Sequence, residues 1–440
     1  MGSFSRWREK AGDEGDSVRW TTLTPTLSRQ RERAQRKGEL MAIEGSNKTG
    51  ATPGRIRLGM VGGGQGAFIG GVHRMAARID DRYELVAGAL SSDPARAAAS
   101  AAELHIAPER SYADYADMAR REAALTASGG DGIDAVSIVT PNHLHGRIAS
   151  AFVDAGIHVI CDKPLTSTLA EALDLVARVR KSGCLFALTH NYSGYPMVRQ
   201  AREMVAAGEL GEIRVVQAEY PQDWLSTDLE ASGQKQAAWR VDPAQAGAGG
   251  SLGDIGTHAE QLARFISGLE LAAVSADLTS FVPGRRLDDN AHILLRYTNG
   301  ARGMLWSSQV APGNENALRV RIYGSKAGLS FSQENPNQLW FTPLGEQPRL
   351  ITRGGAGAGA AAGRATRIPA GHPEGYLEGF AQLYRDVAEQ IQARWEQRAP
   401  DPLACWVPTV EDGALGMKFI EAVVESSRAD GRWTDARLAL

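Results

Sequence analysis

The sequence predicts an α/β fold: a doubly wound parallel sheet in the N-terminal half, then a C-terminal α+β domain with a largely antiparallel, open sheet. Three observations carry this. From Arg55 to about Leu188, short apolar runs alternate with segments of helical period, which is the pattern of βαβ units. Beyond Leu188, strand-like segments follow one another across glycine turns, which is the pattern of an antiparallel sheet. The chain has 440 residues, more than one hydrophobic core serves.

Taken in order, "RIRLGMVGGG" from Arg55 is an apolar run ending in glycines, a first strand running into a tight turn. "FIGGVHRMAARI" has helical periodicity, "YELVAGAL" is the second strand and "DPARAAASAAELHI" an alanine-rich helix. "DAVSIVT", "HVICDKP" and "LFALTH" are three further strands, separated by the helices "GRIASAFVDAG" and "LAEALDLVARVRKSG". Right-handed crossovers make this a doubly wound sheet. The helix "MVRQAREMVAAG" opens the second domain. The strands "IRVVQAEY", "LAAVSADLTSFV", "AHILLRY", "RGMLWSSQV", "LRVRIYG" and "GLSFSQ" follow, and two amphipathic helices from Glu374 and Val410 close it. "GGAGAGAAAG" (Gly354–Gly363) imitates a phosphate loop in composition, but no strand and helix flank it, and a mobile surface loop is expected.

Residues 1–54 differ from the rest. "RWREKAGDEGD" and "SRQRERAQRKGEL" are charged without apolar periodicity, so a disordered extension is expected; Met41 reads as an alternative start, which would make residues 1–40 a start-site artefact. No apolar signal region stands there. The expected domains are therefore 1–54, 55–188 and 189–440. A net charge of −3 speaks against a nucleic-acid or anionic-membrane partner, and no apolar run is long enough to span a bilayer. Three cysteines, Cys161, Cys184 and Cys405, make no disulfide framework; buried thiols in a reducing cytoplasm are expected.

The chemistry lies at strand ends. In "GMVGGGQGAFIGGVH", Gly62 and Gly64 allow a tight turn and a close approach of backbone to a pyrophosphate, whose charge suits a helix N-terminus. Gly70 is read as the third glycine, just before the helix, after an insertion of about three residues relative to the usual spacing. The acid that grips a ribose 2′-OH belongs at the end of the second strand. Here Leu90, Ser91 and Ser92 stand there, and Asp93 comes late. Ser91, Ser92 and Arg96 suit a 2′-phosphate, so the cofactor is NAD or NADP with a lean to NADP; Ser92 is also read as a helix cap.

Ligands of doubly wound sheets bind at the carboxyl ends of the strands. That puts Asn142 and His145 of "TPNHLHGRI", and Lys163 of "CDKP", on the cofactor side. His143 and His145 lack the companions of a metal site, and no metal is expected. Lys163 suits hydrogen bonding to a substrate oxygen on which negative charge develops; the alternative is a strand-edge lysine paired with Asp162. In "AGAGGSLGDIGTHAEQLARFISG", Asp254 and His258 are i and i+4 on a helix, where a carboxylate can orient an imidazole acting as general base.

At these residues the chain resembles the glucose–fructose oxidoreductase/inositol dehydrogenase/MocA family. The glycine loop, Thr140–His145, an E-K-P motif present as Asp162-Lys163-Pro164, and an Asp-x-x-x-His helix occur in the family's order, over most of the chain from Arg55. The resemblance implies a Rossmann domain joined to an α+β domain whose sheet face supports homodimers or homotetramers. It implies that Lys163 and His258 are catalytic with Asp254 assisting, that Thr140 and Asp162 join the cofactor side, and that substrates are sugars, cyclitols or derivatives. "YPQDWL" and "AAWRV" resemble stretches of sugar dehydrogenases, implying substrate contacts from Tyr220, Trp224, Trp239 and Arg240. The expected activity is NAD(P)-dependent oxidation of a secondary alcohol or reduction of the ketone. The rivals are a redox-assisted glycosidase with tightly bound, recycled NAD, and a non-catalytic dinucleotide sensor.

Overall fold

Five strands pair in parallel in the order β2-β1-β3-β4-β5. They are β1 (Ile56–Gly62), β2 (Tyr83–Ala89), β3 (Ala135–Val139), β4 (His158–Cys161) and β5 (Phe186–Leu188). This computed structural model describes residues 54–440 apart from 235, 236, 238 and 239. The extension expected over residues 1–54 thus lies outside the described residues, save Gly54. β1 pairs with β2 on one side and β3 on the other. The winding reverses between β1 and β3, so their carboxyl ends form the topological switch point where ligands of such sheets bind. Layers on both faces bury all of β3, which is apolar but for Ser137.

Around the sheet run α1 (Phe68–Ile79), α2 (Pro94–Glu103), α3 (Tyr115–Ala127), α4 (His145–Asp154) and α5 (Leu169–Ser182). Periodicity did not reveal α3, because charges fall on its inner face too. Its buried Glu122 is held by Arg110 at 2.6 Å and by the Tyr112 hydroxyl at 2.7 Å. Asp114 caps it by accepting the N–H groups of Ala116 and Asp117.

After α6 (Pro196–Ala206) comes a nine-stranded sheet in the order β13-β12-β11-β10-β6-β9-β8-β7-β14. Its strands are β6 (Ile213–Pro221), β7 (Leu271–Thr279), β8 (Asn290–Tyr297), β9 (Arg302–Ser308), β10 (Arg319–Gly324), β11 (Ala327–Ser332), β12 (Gln338–Pro343), β13 (Arg349–Thr352) and β14 (Thr434–Asp435). All neighbours are antiparallel except β6 and β9. α6 and α7 (Thr257–Ser267) cover one face. The other face leaves Leu294, Met304, Tyr323 and Trp340 exposed. Among the described residues no helix is long and apolar enough to cross a membrane.

Two features depart from expectation. The stretch read as a mobile surface loop contributes to α8 (Ala360–Ala365), with Ala361, Ala362 and Ala365 buried. Side chains of α6 hold its start: Gln200 accepts the Gly359 N–H at 2.6 Å and Glu203 the Ala361 N–H at 3.1 Å. These partners are distant in sequence, so composition could not announce them. The closing helices are α9 (Tyr376–Trp395) and α10 (Val410–Arg428), and α9 returns to the first sheet and packs on α1. Phe380, Leu383, Tyr384, Val387 and Ile391 share a core with Ile56, Leu58 and Val72. The Tyr384 hydroxyl lies 2.8 Å from Ser137 Oγ and 2.9 Å from His73 Nδ1.

α9 also crosses the turn Asn191–Gly194 in backbone contact. A Cβ on Gly194 would fall 2.0 Å from the Gly379 carbonyl oxygen. Gly194→Ala should therefore push α9 off the turn and lower stability by about 1–3 kcal/mol, as overpacking does. Urea unfolding measures this, and an unchanged midpoint would show that the crossing relaxes freely.

Candidate active site

The glycine loop forms a cradle at the end of β1. Gly62 and Gly63 have φ of 79° and 73°. A Cβ on Gly64 would meet Leu90 O and Ser100 Oγ at 2.7 Å. α1 begins at Phe68, so Gly70 lies inside its first turn rather than ahead of it. Gly70 packs on Gly63, where a Cβ would come within 2.4 Å of the Gly63 Cα. Gly70 thus lets the helix approach the turn, the task of a third glycine in a dinucleotide loop. Among the described residues no side chain caps α1, and no acid stands in its first turn, so its N–H groups remain available to an anion. A cavity of about 340 Å³ opens there between Gly64, Gly66, Phe68, Arg74 and Ser100. This fits a dinucleotide pyrophosphate.

At the end of β2, Leu90 is buried and Ser91 is half-buried with Oγ accepting the Asp93 N–H at 3.1 Å. Asp93, not Ser92, caps α2, accepting the Arg96 N–H at 2.7 Å. Ser92 and Arg96 are exposed beside it.

Lys163 leaves the end of β4 through a cis peptide to Pro164. Its ammonium does not pair with Asp162. It donates to the Asp254 carbonyl and, at 3.1 Å, to Asp254 Oδ1. Asp162 is held in place instead, its Oδ1 accepting the Lys163 N–H and the Thr189 hydroxyl, each at 2.9 Å. His145 is buried, with Nδ1 2.7 Å from Pro164 O and Nε2 2.8 Å from Thr140 O. It ties the turn after β3 to the turn bearing Lys163. Asn142 stays half-buried at the start of that first turn.

Asp254 lies in a π-helical segment, Leu252–Gly256, ahead of α7. The Thr257 N–H reaches back five residues to Leu252 O, and the Thr257 hydroxyl takes Gly253 O at 3.0 Å. Such widened turns are frequent at functional sites. Asp288 steadies the entry by accepting the N–H groups of Gly250 and Leu252 at 2.7 and 2.8 Å. The wide turn spoils the simple stacking of i and i+4. Besides Lys163, the Asp254 carboxylate is bound by Arg240 Nε at 3.1 Å and Gln309 Nε2 at 2.9 Å. Burial pushes its pKa up, but Arg240 and Lys163 outweigh this and hold it well below the ordinary carboxylate range.

His258 Nδ1 is buried without a hydrogen-bond partner among the described residues, so Asp254 does not orient the imidazole through a hydrogen bond. Aromatic packing does: its ring centroid lies 4.9 Å from that of Tyr192 and 5.4 Å from that of His190. Burial, then Lys163 and His190, press its pKa well below 6.5, so the ring is neutral at neutral pH. Burial likewise takes His190 down to about 3.

The structure thus brings Lys163, Asp254, His258 and Arg240 together at the carboxyl edge of the first sheet. Trp224 stands beside Arg240, whose guanidinium is 5.7 Å from the indole centroid. Tyr220 is buried, its hydroxyl used by Tyr192 and Asn316. Trp239 lies outside the described residues. Sequence reasoning missed Gln309, Tyr192, His190, Gln222 and Asn316. The one signal for Tyr192 and His190 was their place just after the fifth parallel strand. A larger concavity of about 620 Å³, between Phe281, Trp306 and Pro312, opens on the sheet face bearing Met304 and holds none of the groups above.

Comparison with known proteins gives the family. Residues 56–190 match the oxidoreductase family model for the GFO/IDH/MocA NAD-binding Rossmann fold, and residues 198–330 match the GFO/IDH/MocA C-terminal domain. The chain is 56% identical to an oxidoreductase of known structure from Sinorhizobium meliloti, with a TM-score of 0.78, covering 87% of this chain and 99% of that one. An inositol dehydrogenase homolog from Azotobacter vinelandii, complexed with NAD+, is 38% identical with a TM-score of 0.82, over 89% of this chain and 100% of that one. The same homolog has also been solved with NADH and myo-inositol. Levoglucosan dehydrogenase of Pseudarthrobacter phenanthrenivorans is 29% identical over 64% of this chain and 75% of its own length.

The uncapped start of α1 offers a test in which two readouts move oppositely. Ala67 has the extended backbone of an N-cap (φ −94°, ψ 111°). Ala67→Asp should supply the missing cap and stabilise the protein by about 0.5–1 kcal/mol. It should also weaken NAD(P)H binding at least about tenfold, because its carboxylate takes the place of the pyrophosphate. Thermal melting and fluorescence titration read the two effects. Undiminished affinity would show that the anion is held elsewhere.

Proposed function

The chain belongs to the GFO/IDH/MocA oxidoreductase family, and from that premise we propose that it transfers hydride between a nicotinamide dinucleotide and a secondary alcohol, or its ketone, on a sugar, cyclitol or derivative. The observation that carries this reading is the Lys163 ammonium, fixed on Asp254, standing close enough to a buried, neutral His258 to act on its charge. A bound nicotinamide would accept or return the hydride. An ammonium has three donors, and Asp254 takes two of them through its carbonyl and Oδ1. The third is left for the reacting oxygen, where it stabilises developing alkoxide. Asp254, held anionic by Lys163, Arg240 and Gln309, is a positioning group and not the base. With Nδ1 buried, His258 Nε2 is the nitrogen that takes the hydroxyl proton.

Gly62, Gly64 and Gly70 hold the pyrophosphate in this reading. Thr140, Asn142 and the His145-tied turns flank the nicotinamide half, and Ser91, Ser92 and Arg96 face the adenosine ribose. With Asp93 committed as a helix cap, the lean is to NADP. The oligomer proposed is a homodimer or homotetramer joined through the exposed sheet face of Leu294, Met304, Tyr323 and Trp340.

Screening sugars and polyols for NAD(P)H formation tests the reaction. Lys163→Met should lower kcat by about 100-fold or more while NAD(P)H affinity is kept, since the lost donor acts on the transition state. A Lys163→Met enzyme with normal turnover would remove the catalytic assignment. The depressed His258 sets the pH profile. The base works when neutral, so kcat/KM for oxidation should stay level as pH falls through 6.5 and drop only well below it. His258→Asn should abolish that acid limb, and a limb at 6.5 or above in the parent enzyme would assign the base elsewhere. Ser91→Asp should weaken NADP more than NAD, by repulsion with the 2′-phosphate. Equal losses would show that this strand end does not meet the ribose.

A further inference from the structure

A hydrogen-bonded chain runs from the rim of the site to the wall beside His258, and its polarity can be deduced. The Trp224 indole can only donate, and its Nε1 lies 3.0 Å from Gln222 Oε1. That orients the Gln222 amide, whose Nε2 donates to Asn316 Oδ1 at 2.6 Å. Asn316 Nδ2 in turn donates to Gln333 Oε1 at 3.2 Å. The Tyr220 hydroxyl donates its single proton to the same Asn316 Oδ1 at 2.7 Å. The proton between the Tyr220 and Tyr192 hydroxyls, 2.5 Å apart, must then come from Tyr192. Were Tyr192 to donate elsewhere, two oxygen lone pairs would face each other at that distance.

Tyr192 is thereby left with lone pairs and no proton to offer. It follows the fifth parallel strand, on the same sheet edge as Lys163, with its ring 4.9 Å from His258. Both tyrosines are buried, 4% and 3% exposed, so bulk water does not scramble the chain. Burial also holds both phenols above their ordinary pKa of 10, and they stay protonated at any working pH.

We infer that Tyr192 is a specificity-determining residue: an obligate hydrogen-bond acceptor for a second hydroxyl of the substrate, neighbouring the one oxidised. This rests on the dehydrogenase reading above. An ether, a fluorine or a carbonyl at that position would set acceptor against acceptor, whereas a free hydroxyl donates. The site therefore selects polyols whose hydroxyl beside the reacting carbon is unsubstituted.

The test takes an active polyol from the screen and its single-position deoxy, deoxyfluoro and O-methyl analogues. In the parent enzyme, one position neighbouring the oxidised carbon should show a loss in kcat/KM of about tenfold for both deoxy and deoxyfluoro compounds. In Tyr192→Phe that loss should shrink to within about twofold at this position alone, with the melting temperature checked to confirm folding. Trp224→Phe, which removes the donor that sets the polarity, should specifically improve the deoxyfluoro analogue, because Tyr192 is then free to turn its proton outward. A parent enzyme active on the polyol whose penalties are all unchanged in Tyr192→Phe would overturn the inference and leave the dehydrogenase reading standing. A parent enzyme that transfers no hydride to any polyol would overturn both.

Discussion

The pairing of Lys163 with Asp254 holds the site together. The lysine leaves a strand of the first sheet, and the aspartate sits on the helix entry that packs on the second. The bond therefore sets the distance between the strand ends of the first sheet and the helix entry on the second. Removing a carboxylate from water costs several kcal/mol unless its oxygens are satisfied. Asp254 is satisfied by an ammonium, a guanidinium and an amide that come from three separate segments. Each segment is fixed by the need to neutralise one buried charge, and so the pocket is organised before any ligand arrives.

Two carboxylates near the lysine have been given different work by their surroundings. Asp162 accepts from a backbone N–H and a threonine hydroxyl, so it shapes the turn from which the lysine departs. Asp254 accepts from cations, so it fixes where the lysine ends. His145 adds a third constraint by joining this turn to the one after β3. The nearby histidines are treated in the opposite way. His190 and His258 are buried without a carboxylate bonded to either among the described residues, and they remain neutral. A fixed positive donor beside an uncharged imidazole is what the proposed removal of a hydroxyl proton requires.

Much of this was legible in the sequence because the signals were local. Alternating strands and helices announced the first sheet, and the rule that ligands gather at strand carboxyl ends picked out Lys163. The same locality hid the rest. The i, i+4 spacing of Asp254 and His258 suggested a bonded pair, but that geometry assumes a regular helix, and one π turn redirects the carboxylate to Lys163. Gly70 was recognised as a loop glycine while its place in the helix was not, since its partner is the Gly63 backbone. α3 escaped because a buried Glu122 breaks the apolar stripe, and its compensation by Arg110 is a tertiary fact. Gln309 and Asn316 stand alone in their strands and loops, with nothing nearby to mark them.

Tyr220 and Trp224 show the further step from residue type to role. An aromatic in a sugar enzyme invites the picture of a ring stacked on a pyranose. Here Tyr220 is enclosed, and what it contributes is a direction: its proton goes to Asn316, which obliges Tyr192 to give up its own. Trp224 contributes in the same currency, because an indole cannot accept and so fixes the sense of every bond beyond it. A buried chain of this kind costs nothing extra to orient when a ligand binds, since only one arrangement of its protons satisfies all members. The recognition it provides is then exclusion as much as attraction: groups that cannot donate are left facing a lone pair.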